Sequence, residues 1–129
     1  MMKVIYTENA PTPVGAYSQA IKIDSSIIVF CSGQLGIKPG ESQLISDNVE
    51  EQTLQVFENI REVVRAAGLP HTNIVKVNIF LTDLNDFGIV NKIFGNFFDS
   101  HKPARSTVEV SRLPLGGKVE IECIAAANS

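Results

Sequence analysis

Hydrophobic residues along the chain recur with two different spacings, and each spacing predicts one type of secondary structure. Alternation of apolar and polar residues predicts strands at residues 17–23, 27–35, 74–81, 105–110 and 119–126. Apolar residues three and four positions apart predict helices at residues 47–67 and 83–98. The chain therefore runs through two strands, a helix, a strand, a second helix and two further strands, with a loop at residues 36–45.

The ends of both helices carry sequence signals. Asp47 can cap the first helix, with Glu50 three residues further on as in a capping box. Gly68 is well placed to end this helix, because glycine adopts the left-handed conformation that helix ends require. The second helix is capped by Thr82 or Asp83, and we interpret its aromatic stripe as core rather than as a cofactor site.

This order of elements predicts a single α+β domain over residues 1–129. In the predicted fold, two helices cover one face of a mostly antiparallel sheet of about six strands, so the domain has two layers. The second face of such a sheet contacts either solvent or another molecule.

Strand alternation also assigns side chains to the faces of this sheet. Arg105 and Thr107 share one face of their strand, and Glu120 lies on the polar face of the last strand. If the apolar residues of both strands face the helices, these three side chains point away from the helical layer. If the two strands pair as a hairpin, Arg105 and Glu120 are neighbours. Ile124 and Ala126 share the face of Glu120, which indicates a partly buried oligomer interface.

Composition and charge narrow the range of partners. A net charge of −3 offers no general attraction for nucleic acid or anionic membranes. The sequence has neither a signal peptide nor the roughly 20 consecutive apolar residues of a membrane span, so we expect a soluble, cytoplasmic protein. Cys31 and Cys123 lie in apolar strands, and we predict two buried thiols rather than a disulfide.

The sequence contains none of the common motifs that bind phosphate, dinucleotides or metal ions. His71 and His101 fall in separate loops without ligand spacing, and we predict that both are surface residues. We therefore expect neither a metal ion nor a cofactor.

Seven blocks of sequence, in order along the chain, resemble one known family. They are TENAP at residues 7–11, GAYSQA at 15–20, SGQ at 32–34, AAG at 66–68, DLNDF at 83–87, PARSTVEV at 103–110 and VEIE at 119–122. The last two blocks are the most specific. On these blocks the chain resembles the reactive intermediate deaminase family, known as RidA or YjgF, over nearly its whole length.

The resemblance implies a chorismate-mutase-like fold and a homotrimer in which three sheets form a central barrel with the helices outside. Active sites would then lie in clefts between subunits. The reaction implied is hydrolysis of 2-iminopropanoate, 2-iminobutanoate and similar 2-imino acids to 2-keto acids and ammonia, without a cofactor. The expected partners are these small acids and two further copies of the chain, with no membrane and no nucleic acid.

The resemblance also implies two catalytic residues. Arg105 would bind the substrate carboxylate through two parallel hydrogen bonds, and the alternative is a salt bridge to Glu120 or Glu122 inside a trimer interface. Glu120 would orient or deprotonate the attacking water, or assist proton transfer to the departing ammonia. A neighbouring Arg105 would favour the ionised carboxylate and make it a weaker base. The alternative is a purely structural partnership with Arg105.

Further residues of the pocket follow from the same resemblance. Tyr17 would close over the substrate, Ser32 and Gly33 would line the pocket, and Asn91 would lie at the cleft. The alternatives are a half-buried strand aromatic for Tyr17, a β-bulge at Gly33 and a solvated helix surface for Asn91.

Thr107 occupies a position where many relatives have cysteine. Imine hydrolysis needs water, an electron-poor carbon and a held carboxylate rather than a thiol. We therefore expect the substitution to alter substrate preference or sensitivity to thiol reagents, while backbone groups at this position still bind substrate or water.

Two other functions compete with the deaminase. The same clefts could bind 2-keto acids or other small carboxylates without turnover. A ribonuclease or translation inhibitor is the third hypothesis, and the negative charge together with two isolated histidines argues against it.

Overall fold

A computed structural model describes residues 2–127, which form two α-helices and six strands. The helices are α1 (Val49–Ala66) and α2 (Phe87–Phe98). The strands are β1 (Met2–Ile5), β2 (Ala20–Ile23), β3 (Ile28–Gln34), β4 (Ile74–Leu81), β5 (Ala104–Glu109) and β6 (Val119–Ala126). The predicted α+β class is confirmed, because both helices pack over one face of a sheet.

The six strands are divided between two sheets. A four-stranded sheet has the order β3-β6-β4-β5, while β1 and β2 form a separate antiparallel pair. The sequence pattern did not predict β1, and the predicted strand at residues 17–23 was too long, because only Ala20–Ile23 pairs with β1. The first part of that segment instead contacts the start of β5 through a bridge between Ser18 and Ala104.

The predicted hairpin between the last two strands was wrong. β4 lies between them, parallel to β5 and antiparallel to β6. The chain between β4 and β5 contains α2, and a crossover of this length is what parallel pairing requires. Alternation shows which residues of one strand share a face, but it carries no information about which strands are neighbours.

Both helices begin later in the chain than predicted. Asn48, rather than Asp47, caps α1, and its Oδ1 accepts a hydrogen bond from the Glu51 N–H at 2.9 Å. Gly68 ends α1 with a φ of +86°, as predicted. Asp83 caps a short 3-10 turn, so α2 begins only after that turn.

The core lies between the helices and the four-stranded sheet. Its largest fully buried side chains include Ile60 of α1, Phe94 of α2 and Ile79 of β4. Phe57 joins the two helices, with its ring centroid 4.7 Å from that of Phe97. Burial of this apolar surface is the main force that stabilises the two layers.

One buried polar side chain, which the sequence pattern did not identify, connects α1 to the start of β6. Gln52 has no exposed surface. Its amide donates to the Ser46 carbonyl oxygen at 2.8 Å and accepts from the Lys118 N–H at 2.9 Å. Buried backbone groups need hydrogen-bond partners. Gln52 supplies one such partner to each of two backbone segments that lie outside the strands.

Replacement of Gln52 by leucine should therefore destabilise the protein. Gln52→Leu leaves the Ser46 carbonyl and the Lys118 N–H without their partner, which costs about 1–3 kcal/mol for each group. Chemical denaturation of wild type and variant measures this loss. Gln43→Leu, the same change in an exposed loop, is the control and should shift stability by less than about 0.5 kcal/mol. Equal effects of the two changes would contradict this role of Gln52.

Candidate active site

Arg105 lies on the helix-covered face of the sheet, opposite to the predicted face. In the β4–β5 register, Arg105 pairs with Val77 and Thr107 pairs with Ile79. Val77 and Ile79 are buried, and residues paired across neighbouring strands point to the same side. Arg105 and Thr107 therefore do share a face, as predicted, but this face contacts α2. The prediction failed because it assigned Val108 to the core, whereas Val108 is 47% exposed.

Three aromatic rings surround the Arg105 guanidinium. Its central carbon lies 4.8 Å from the ring centroid of Phe94, 5.1 Å from that of Tyr17 and 5.4 Å from that of Phe87. Its Nη1 donates a hydrogen bond to Asn91 Oδ1 at 2.5 Å. We call these five residues the arginine pocket. The faces of aromatic rings attract cations, so the pocket stabilises the charge while leaving part of the guanidinium for a ligand.

The charge of Arg105 has no carboxylate partner within the part of the chain that the structure describes. The ion pairs found there join Arg61 to Glu58 and Arg65 to Glu62, on the surface of α1. Within one described chain no salt bridge joins Arg105 to Glu120 or Glu122, and the alternative salt bridge across a trimer interface stays a prediction. Burial lowers the pKa of Arg105 from its ordinary value, but a guanidinium stays charged at neutral pH.

A loop before β2 holds Tyr17 against Arg105. The Ser18 N–H donates to the Pro103 carbonyl oxygen at 3.1 Å, and the Ser18 hydroxyl donates to the Lys102 carbonyl oxygen. Gly15 lies so close that a Cβ on it would be 3.3 Å from Arg105 Nη2. The sequence argument did not name Gly15 or Ser18 as site residues, although both belong to the GAYSQA block of the resemblance.

Glu120 lies on the other face of the sheet, away from the helices, as predicted. Its carboxylate packs against Gly33, where a Cβ would lie 2.0 Å from Glu120 Oε2. The β3–β6 register shifts by one residue between Cys31 and Gln34, so Gly33 is also part of a β-bulge. The predicted β-bulge at Gly33 is confirmed, and the backbone of Gly33 lies close to the Glu120 carboxylate. Ser32, Gly33 and Glu120 form what we call the glutamate shelf.

One chain does not bring the arginine pocket and the glutamate shelf together. Arg105 is on β5 and Glu120 on β6, and β4 separates these strands by about 10 Å. The two side chains also lie on opposite faces of the sheet. The predicted influence of Arg105 on the basicity of Glu120 is therefore wrong within one chain.

Thr107 carries a buried polar atom without a partner. Its Oγ1 is inaccessible to solvent and forms no hydrogen bond within residues 2–127. A buried hydroxyl in this state costs about 1–3 kcal/mol. The hydroxyl lies on the face of β5 that carries Arg105.

The face of the sheet that carries Glu120 is also unusually apolar. Phe30 is 76% exposed, Val108 is 47% exposed and Ile28 is 44% exposed. Between them, Asn78 donates to Glu122 Oε2 at 3.2 Å. Exposed apolar patches with polar neighbours are typical of protein interfaces.

The two histidines are half-buried, so the prediction that they lie on the surface was wrong. The His71 ring centroid lies 4.5 Å from that of Phe97, and His101 Nε2 lies 2.6 Å from the Ile74 carbonyl oxygen. Within residues 2–127, no group of three or more His, Cys, Asp or Glu side chains could hold a metal ion. In the same residues, no helix is both long and apolar enough to cross a membrane.

Comparison with known proteins identifies the family. The family model described as Endoribonuclease L-PSP matches residues 7–127. The chain belongs to this family. A 2-iminobutanoate/2-iminopropanoate deaminase from Rattus norvegicus, also of this family, is 46% identical over 123 residues, which cover 95% of this chain and 88% of the relative. The resemblance to the RidA and YjgF proteins is thereby confirmed.

Two further similar proteins extend the comparison. The RutC family protein PH0854 from Pyrococcus horikoshii is 45% identical over 125 residues, which cover 97% of this chain and 98% of the relative. The crystal structure of TdcF from E. coli, solved with bound serine, matches with a TM-score of 0.74 and 40% identity over 98% of this chain and 99% of TdcF. The fold is therefore shared by this chain and TdcF along nearly their whole length.

A side chain at position 33 should displace the Glu120 carboxylate. Gly33→Ala puts a methyl group within 2.0 Å of Glu120 Oε2 and 2.9 Å of its carboxyl carbon, so Glu120 must adopt another rotamer. A crystal structure of the variant measures this change. Gly88→Ala is the matched control, because a Cβ there meets no atom within 4 Å. An unchanged Glu120 rotamer in the Gly33→Ala variant would show that the packing described above is not a constraint.

Proposed function

We propose that the protein hydrolyses small 2-imino acids, such as 2-iminopropanoate and 2-iminobutanoate, to 2-keto acids and ammonia. The arginine pocket carries this proposal, since it encloses a charged guanidinium that lacks a carboxylate partner in residues 2–127. The rat relative is named for this reaction, and TdcF was solved with serine, a small amino acid. In this proposal the protein works in the same compartment as an enzyme that releases imines, and we take this compartment to be the cytoplasm.

Arg105 binds the substrate carboxylate in this proposal. A guanidinium has five N–H donors in a planar fork, and the hydrogen bond to Asn91 uses one of them. The remaining donors allow two parallel bonds to a carboxylate. Asn91 fixes the orientation of the fork, and Tyr17 covers one of its faces. The imine carbon next to the carboxylate is then held in a defined position.

The glutamate shelf supplies water and handles protons. Hydrolysis forms a bond from water oxygen to the imine carbon while the C=N π electrons move to nitrogen. Collapse of this intermediate forms the ketone and releases the protonated nitrogen as ammonia. Glu120 accepts a proton from the attacking water and passes it to the imine nitrogen, then passes the hydroxyl proton of the intermediate to the same nitrogen as it departs. Ser32 and Gly33 line the same space, and the missing side chain of Gly33 leaves room for the Glu120 carboxylate.

A complete site requires two copies of the chain. The arginine pocket lies at the β5 edge of the sheet, and the glutamate shelf lies at the opposite edge formed by β3 and β6. A cyclic homotrimer brings the β3–β6 side of one protomer against the β5 side of the next, which creates three equal clefts. The same contact covers the exposed Phe30, Ile28 and Val108.

Thr107 contributes to substrate selection. Its side chain lies on the same face of β5 as Arg105, so its size and shape help to define the space beside the guanidinium. The hydroxyl takes the place of the thiol that many relatives carry, and no step of the hydrolysis described above needs a thiol.

Loss of the Arg105 fork should lower kcat/KM. Removal of one partner of a buried charge pair costs about 2–4 kcal/mol, so Arg105→Ala should reduce kcat/KM about 30- to 1,000-fold. Arg105→Lys keeps the charge but not the fork, so its kcat/KM should lie between those of the wild type and Arg105→Ala. The assay follows 2-keto acid formation while a serine or threonine dehydratase generates the imino acid. Arg65→Ala, at an exposed ion pair on α1, is the matched control and should retain wild-type kinetics.

Three results, from three measurements, would contradict the deaminase proposal. Full activity of Arg105→Ala would exclude the carboxylate role. Saturable binding of a 2-keto acid, with no effect of the wild-type protein on imine loss, would favour the binding module. Cleavage of RNA that copurifies with the wild-type protein and disappears in Arg105→Ala would favour the ribonuclease that the family description names.

Mixed assemblies should recover activity if the site is shared between copies. Arg105→Ala and Glu120→Gln each remove a different half of every cleft. In mixed trimers of the two variants, one cleft of three combines an intact Arg105 with an intact Glu120. Random mixing at equal amounts therefore restores about a quarter of the wild-type rate. The measurement compares coexpressed variants with the two variants purified apart. No recovery in mixed trimers would contradict the shared cleft.

A further inference from the structure

Two cysteines face each other directly in the four-stranded sheet. The β3–β6 register pairs Cys31 with Cys123. Residues directly opposite each other in antiparallel strands have Cα atoms about 4.5 or 5.5 Å apart, and both values lie within the roughly 4.4–6.8 Å range of disulfides. Because paired residues point to the same side, both thiols enter the core below α1. The backbone thus holds the two sulfur atoms where a bond can form without movement of the strands.

Both residues are present as free thiols, and they interact with each other. Hydrogen bonding from the Cys123 side chain lowers the pKa of Cys31, although burial and the charge of Glu122 oppose this effect. The same contact raises the pKa of Cys123. Cys31 is also the more accessible residue, at 7% exposure against 3%, and it lies on the edge strand β3. Thiolates rather than thiols attack oxidants, so Cys31 reacts first.

We propose that Cys31 and Cys123 form a reversible intrachain disulfide when the protein meets a small peroxide. The Cys31 thiolate attacks one peroxide oxygen, the O–O bond breaks, and water leaves once the second oxygen is protonated. This step yields a sulfenic acid on Cys31. The Cys123 sulfur then attacks the Cys31 sulfur, and the second water leaves. Two thiols and one hydrogen peroxide thus become one disulfide and two waters.

Formation of the disulfide changes a backbone contact next to the glutamate shelf. The Cys31 thiol donates to the Ser32 carbonyl oxygen at 3.4 Å, and a disulfide has no hydrogen to donate. The bulge that carries Gly33 begins immediately after Cys31, and Gly33 supports the Glu120 carboxylate. Oxidation therefore changes the backbone contact next to the residue that we assign to water activation. This second part of the inference rests on the proposed function, whereas the disulfide itself does not.

The test treats the wild-type protein with hydrogen peroxide and measures its intact mass under denaturing conditions. We expect loss of two hydrogens, loss of both alkylatable thiols, a Cys31–Cys123 cross-linked peptide after digestion, and full reversal by dithiothreitol. Two alkylatable thiols after treatment, a gain of oxygen without a cross-link, or a disulfide between chains would each overturn the proposal.

Single variants test the order of attack. In Cys123→Ser, whose hydroxyl keeps a donor beside Cys31, peroxide with dimedone should label Cys31, while Cys31→Ser should leave Cys123 unlabelled under the same conditions. Labelling of Cys123 alone would overturn the assignment of Cys31 as the first nucleophile. Keto acid formation by the oxidised wild type should fall and recover with dithiothreitol, and unchanged activity would overturn the link to the glutamate shelf. If the cross-link forms in a protein with no imine hydrolysis even when reduced, only the proposed function fails.

Discussion

The parallel pairing of β4 with β5 is the constraint that sets the positions of the arginine pocket and the glutamate shelf. It fixes β5 at an edge of the sheet and turns every second residue of β5 towards α2. Arg105 consequently enters a space that α2 lines with Phe87, Asn91 and Phe94. The same strand order places β4 between Arg105 and the carboxylates of β6.

A partly buried guanidinium without a counterion is energetically costly, and the surrounding residues reduce this cost without removing the charge. Aromatic faces and one amide oxygen stabilise a cation less strongly than a carboxylate does. The pocket is therefore electrostatically incomplete, and under the proposed function the substrate carboxylate completes it.

The sequence predicted the elements better than their arrangement. The bounds of β4 and β6 agree with the predicted ones residue for residue, because both strands alternate cleanly between core and surface. The orientation of Arg105 was wrong, because edge strand β5 exposes Val108 and turns a charge inward, against the usual rule for apolar and polar faces. The hairpin was wrong for a different reason, since strand order is set by packing between elements that are distant in sequence.

The candidate site was predictable only in part. Resemblance to a family named Tyr17, Asn91 and Arg105, and the structure brings these three together. Periodicity alone could not have found Tyr17 or Asn91, because neither lies within the element that carries Arg105. Gly33 was named as well, but the reason it must lack a side chain is the position of Glu120, which is visible only in three dimensions.

The arginine pocket and the glutamate shelf also differ in how far apart their residues lie along the chain. Most of the arginine pocket comes from one continuous β4-α2-β5 unit, whereas the glutamate shelf joins β3 near the start of the chain to β6 at its end. Contacts between nearby residues close small loops and form early in folding, while contacts between distant residues form late. The arginine pocket can therefore form early when the chain refolds, whereas the glutamate shelf forms only when β3 meets β6.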